Sequence, residues 1–170
     1  MRPSSVIASL LLACCLLTGT VAAQASQTSK AATGKPYVSA DYQGILKAVA
    51  TQKGKVVVVN FWATWCPPCL MEIPHLVKMR EEFPEARMHL MGVSLDEDEK
   101  ALSGFLAKRK LNYPNYHGDR SVLMGFRVSG VPRLIVYDPS GTMVLSHEGY
   151  MEPDALRELI RKHLPAKDAQ

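Results

Sequence analysis

Apolar residues fall into blocks of different period along this chain. Residues 56–62 form an almost unbroken apolar, β-branched run, the pattern of a strand covered on both faces. Ahead of it, Tyr42, Ile45, Leu46 and Val49 recur at helical spacing and predict a short helix ended by Gly54. Behind it, a long helix is expected from about residue 66 to 83. Leu70, Ile73, Val77 and the stem of Arg80 share one side, and Pro74 kinks it by removing a hydrogen bond. Residues 87–95 read as a second strand. The run Asp96-Glu97-Asp98-Glu99 reads as the solvated start of another helix, with Leu102, Phe105 and Leu106 inward and Lys108 to Lys110 at its end. A short strand is expected at 113–117 and a brief helix at 121–126. Residues 133–137 and 143–147 predict a hairpin through Asp138-Pro139-Ser140-Gly141, and 153–164 a closing amphipathic helix. Strands alternating with helices, then a hairpin and a helix, indicate an α/β domain with a mixed sheet.

Residues 1–25 are of another kind. Arg2 precedes an apolar run at 6–21, broken by Ser9, Thr18, Gly19 and Thr20, and Ala23-Gln24-Ala25 offers small residues at signal-peptidase spacing. The expectation is export, by a signal peptide cleaved after Ala25 or with 1–25 retained as an N-terminal membrane anchor. Leu11-Leu12-Ala13-Cys14 loosely resembles a lipoprotein processing box, though hydrophobic residues rather than a polar tether follow it. Residues 26–36 have linker composition, 37–165 hold the folded domain, and 166–170 form a tail.

Composition narrows the function. With 170 residues, 47% apolar and 21% charged, the chain suits one globular domain. Its net charge of +4 is spread along the chain, which argues against nucleic-acid binding. Of four cysteines, Cys14 and Cys15 lie in the leader, leaving Cys66 and Cys69. A disulfide-stapled scaffold would carry several spaced pairs. One C-x-x-C closes too tight a loop to add much stability, so this pair points to chemistry.

The segment Asn60-Phe61-Trp62-Ala63-Thr64-Trp65-Cys66-Pro67-Pro68-Cys69 leaves a buried strand and opens a helix. Cys66 then sits where free backbone N–H groups and the helix dipole favour an anion. Thiols so placed have pKa values of roughly 3.5–7.5, against about 8.5 when free. Cys66 is the expected attacking thiolate. Cys69, one turn further in, is the expected resolving thiol.

These residues closely resemble the active-site segment of the thioredoxin superfamily, in its exported TlpA/ResA-like branch. The similarity extends to the proline at 74 and to Gly130-Val131-Pro132, which matches the family's cis-proline loop. The helix and strand between Asp96 and His117 resemble the branch's central insertion. The resemblance implies a thioredoxin fold: a mixed central sheet flanked by helices, with no cofactor. It implies a cis peptide bond before Pro132, and a substrate surface including Trp65, Pro67, Val131 and Pro132. The activity implied is disulfide exchange with exported, periplasmic or otherwise extracytoplasmic proteins. Implied partners are disulfide-containing proteins, those awaiting haem or copper among them, and a membrane electron donor of the DsbD/CcdA kind.

Three departures from the family pattern shape the details. Asn60 stands where thioredoxins have a buried Asp, so Glu72, three residues past Cys69 on the same helix face, is the candidate acceptor of Cys69's proton; an exposed carboxylate is the plainer reading. Pro67 and Pro68 remove two amide donors near the Cys66 thiolate, which favours a reductase over a strong oxidant. Arg133 follows the cis-proline, where it could favour acidic partners or simply face outward. Rival functions are a disulfide-forming oxidant and a copper-handling module using the two thiolates. A zinc site with His75 lacks a full ligand set, and no metal is expected.

Overall fold

A computed structural model of the chain describes residues 34–165. The leader or anchor at 1–25 with Cys14 and Cys15, most of the linker, and the tail at 166–170 lie outside the described residues. Eleven elements follow in order: β1 (Val38–Ala40), α1 (Tyr42–Ala50), β2 (Val56–Trp62), α2 (Pro67–Glu82), β3 (Met88–Ser94), α3 (Glu99–Lys108), β4 (Asn115–Gly118), α4 (Arg120–Gly125), β5 (Arg133–Tyr137), β6 (Met143–Glu148) and α5 (Pro153–His163).

The six strands form one sheet in the order β1-β4-β3-β2-β5-β6. β2 runs parallel to β3, β3 to β4, and β4 to β1, whereas β5 is antiparallel to both β2 and β6. The sheet is therefore mixed, with the apolar run at its centre. Every residue of β2 is buried, and alternate side chains enter different cores. Val57, Val59 and Phe61 pack with Ile45 and Val49 of α1 and Val122 of α4. Val56 and Val58 pack with Leu76 and Met79 of α2 and Leu156 and Ile160 of α5. Trp62 joins a third cluster with Cys66, Cys69, Ile73 and, from α3, Leu102 and Leu106.

Several expectations shift. α1 ends at Ala50, capped by Thr51; Gly54 instead takes a φ of +92° in the turn before β2, a conformation natural to glycine. The buried face of α2 is Cys69, Glu72, Ile73, Leu76 and Met79, one step round from the expected stripe, so Leu70 and Val77 are only half-buried. The inserted α3 and β4 extend the sheet beyond β3, and β4 supplies the partner for β1. Three residues are too few to show a period, which is why β1 escapes the sequence pattern.

Candidate active site

β2 delivers the chain to the site and α2 takes it away. Cys66 is the N-cap of α2, with extended backbone, and Pro67 and Pro68 occupy the first helical positions, where a missing N–H breaks no helical bond. Cys66 and Cys69 are joined as a disulfide, with S–S 2.06 Å and Cα atoms 5.3 Å apart. Because both intervening residues are prolines, the Cys69 N–H is the amide donor to Cys66 Sγ, at 3.2 Å. Cys66 is 3% exposed and Cys69 is fully buried, so the sulfur expected to attack is the more accessible one.

The bond between Val131 and Pro132 is cis. It brings the Val131 carbonyl oxygen to 3.5 Å from Cys66 Sγ, on the loop leading into β5. Of the other residues expected to meet substrate, Trp65 is 67% exposed, Pro67 is exposed, Val131 is half-buried and Pro132 is buried. Arg133 does not reach outward for a partner. Its Nη1 donates to Glu148 Oε1 (2.8 Å) and the Arg127 carbonyl (2.6 Å), and its Nη2 to Ser146 Oγ (2.8 Å).

The acidic run after β3 divides four ways, and its first member corrects the solvated-start reading. Asp96 is only 3% exposed. Its Oδ1 accepts the Thr64 N–H (3.0 Å) and hydroxyl (2.5 Å), and its Oδ2 accepts the Ser94 hydroxyl (2.7 Å). The Asp96 N–H returns to Ser94 Oγ (3.1 Å), and its carbonyl meets His117 Nε2 (2.7 Å). This bracket fixes the residue two before Cys66 to the end of β3. Asp98 caps α3 through the Lys100 N–H, Glu99 bonds Lys35 and Tyr37, and Glu97 is exposed. Nothing in a run of four carboxylates singles out Asp96; only a local alternation, Ser94 and Asp96 both inward, could have marked it.

Glu72 is buried, 3% exposed, which removes the plainer reading of a surface carboxylate. Its Oε1 accepts one N–H, from Met151 at 3.3 Å, while Oε2 is buried without a partner among the described residues. Burial pushes its pKa up to about 7, with the Met151 N–H opposing. The same layer holds further unpaired polar atoms: both side-chain atoms of Asn60, Trp62 Nε1, the Tyr113 hydroxyl and Asn115 Oδ1. Asn60 lies opposite Gly92 in the β2–β3 register. A Cβ on Gly92 would lie 2.5 Å from Asn115 Oδ1 and 3.1 Å from Trp62 Nε1, so these groups close on one another around a glycine. Burial, then the Glu72 charge, raises the Tyr113 hydroxyl above its usual range.

Among the described residues no group of three or more His, Cys, Asp or Glu side chains is arranged to hold a metal. What the site offers is a redox pair of sulfurs at the start of α2, Cys66 3% exposed and Cys69 fully buried, on a helix whose buried face also carries Glu72.

Comparison with known proteins agrees. The AhpC/TSA family model matches residues 27–146. The thiol-disulfide oxidoreductase ResA of Bacillus subtilis is 28% identical over 132 residues, 77% of this chain and 74% of that protein. The thiol:disulfide interchange protein HelX of Rhodobacter capsulatus is 33% identical over 109 residues, 63% of this chain and 60% of its own length. A thiol-disulfide isomerase from Corynebacterium glutamicum shares the fold with a TM-score of 0.64 at 23% identity, covering 69% of this chain and 86% of its own. A secreted Mycobacterium tuberculosis disulfide oxidoreductase, homologous to E. coli DsbE, superposes with a TM-score of 0.57 at 26% identity over 66% of this chain and 85% of its own. The chain belongs to the AhpC/TSA family of thioredoxin-fold proteins and is a thiol–disulfide oxidoreductase of the ResA, DsbE and HelX type.

Proposed function

We propose that the chain works outside the cytoplasm as a disulfide reductase. One observation carries the direction: Cys66 Sγ caps a helix whose first two residues are prolines, and accepts the Cys69 N–H. A thiolate there receives less amide stabilisation than in a helix start without prolines. A less stabilised reduced form makes the disulfide a weaker oxidant.

In this reading the reduced Cys66 thiolate attacks one sulfur of a target disulfide. A mixed disulfide forms and the target's other sulfur leaves as a thiolate. Cys69, having given up its proton, then attacks Cys66 Sγ, which releases the second target thiolate and closes the Cys66–Cys69 bond. Glu72 is the acceptor for the Cys69 proton; a carboxyl titrating near neutrality can take and return a proton there. Trp65, Pro67, Val131 and Pro132 form the face against which the target segment lies. Two electrons per cycle must come from a dithiol donor, for which a membrane protein of the DsbD/CcdA kind fits, and the targets are exported cysteine pairs of the kind that later bind haem or copper.

Equilibrating the protein with glutathione tests the direction. A potential close to thioredoxin's, about −270 mV, is expected, and one near the strong-oxidant value of about −120 mV overturns the reductase reading. A Cys69→Ser variant should arrest the mixed disulfide and retain the target for identification by mass.

A further inference from the structure

Beside the disulfide lies a groove of about 600 Å³ whose lining includes Trp65 and Val131. The Val131 carbonyl touches Cys66 Sγ at 3.5 Å, so a chain engaging that sulfur passes this groove. Its walls include Leu95, Leu123 and Val128, and Glu97 and Asp98 also line it, with no lysine or arginine among the lining residues. Asp96 lines it too, but its two oxygens are taken up by Thr64 and Ser94. Glu97 is exposed and bonds to nothing among the described residues, and Asp98 gives one oxygen to the Lys100 N–H. Trp65 is 67% and Leu123 37% exposed, leaving apolar surface uncovered next to unneutralised negative charge.

We propose that this groove selects its targets, and that it fits an extended segment next to the target cysteine carrying an apolar side chain and a lysine or arginine. The inference deepens the disulfide-exchange reading and rests on it. Charge complementarity supports it in a way the whole molecule does not. The net charge of the chain is +4, so long-range attraction would draw acidic partners. The groove runs against that bias. Arg133, the cation nearest the cis-proline in sequence, is held by Glu148 and does not cancel the groove's charge.

Three synthetic peptides with the same internal disulfide test this, flanked by Leu-Lys-Lys, Leu-Ser-Ser or Leu-Glu-Glu and reduced in single turnover by the pre-reduced protein. The neutral small molecule 2-hydroxyethyl disulfide serves as reference. Exposed charge pairs are individually weak, so the lysine peptide should react about fivefold faster than the serine peptide and faster still than the glutamate peptide. High salt should shrink the difference. A Glu97→Gln, Asp98→Asn double variant, in which Asn still caps the helix, should lose the preference while reducing 2-hydroxyethyl disulfide at the parent rate. Equal rates for all three peptides, or a preference for glutamate, overturn the basic-segment assignment while leaving disulfide exchange intact. Failure to reduce any of the four compounds overturns both readings.

Discussion

Two carboxylates are buried around the active-site loop, and they are treated in opposite ways. Asp96, behind the segment entering Cys66, accepts from two donors of Thr64 and from Ser94. Glu72, behind the helix leaving Cys69, accepts one long bond and leaves an oxygen unpaired in a layer of other unpaired polar atoms. Equal burial of the same functional group yields a fully bonded post in one place and, in the other, a carboxyl with one oxygen unpaired and its pKa pushed up to about 7. The difference lies in the number of donors supplied, since a fully satisfied buried network rigidifies while a partly satisfied one stays energetically exposed. The incoming segment is thereby tied to the end of β3, while the carboxyl on the buried face of α2 has its pKa raised by burial.

The comparison breaks most severely at Asp96. Asp96→Ala leaves the Thr64 N–H, the Thr64 hydroxyl and the Ser94 hydroxyl without their acceptor, and should cost about 3–5 kcal/mol of stability. Urea unfolding checks this; a loss below about 1 kcal/mol would mean the bracket holds nothing in place.

Glu72 should show a smaller effect of opposite sign, with a pH signature. Its folded pKa is raised from 4.5 to about 7. Below pH 4.5 the carboxyl is protonated folded or unfolded and costs nothing. Between pH 4.5 and 7 the unfolded chain ionises while the folded one does not, so stability falls, and above pH 7 the full penalty persists. Glu72→Gln should therefore stabilise the protein by roughly 3 kcal/mol at pH 8 and by almost nothing near pH 4. An equal gain at both pH values would show that the carboxyl is not titrating in this window.

Least affected should be Asn60, whose two polar side-chain atoms are buried without partners among the described residues. Asn60→Leu exchanges an unsatisfied amide for apolar volume and should raise stability by about 1 kcal/mol. A lower urea midpoint would reveal that the amide is engaged after all.

Much of this arrangement is legible in the sequence, for reasons specific to each part. β2 and α2 are long and strongly patterned, so the C-x-x-C falls at a strand-to-helix junction on the amino-acid pattern alone, and the prolines there have few alternative meanings. The partition of buried carboxylates is not legible, because it depends on contacts across the sheet. Thr64 meets Asp96 across 32 positions of chain, and Glu72 meets Met151 across 79. The acidic run at 96–99 looks uniform, yet each member ends with a different partner. Glu72's spacing from Cys69 places both on one helix face, but only contacts distant in the chain, with the sheet, α3, α5 and Met151, decide that this face is covered.

The position of β1 also bears on the order in which the molecule assembles. Its sheet partner is β4, with Val38 set against Tyr116, so the earliest described strand to leave the ribosome waits for a segment 78 positions later. The centre of the sheet, β2 with β3, closes over a much shorter stretch of chain and can form first. The other side of β2 waits as long as β1 does, because Val57 pairs with Tyr137 of β5, 80 positions later. The strand leading to the redox pair is thus fully paired only once β5 has been made, and the edge strand β1 only once β4 has.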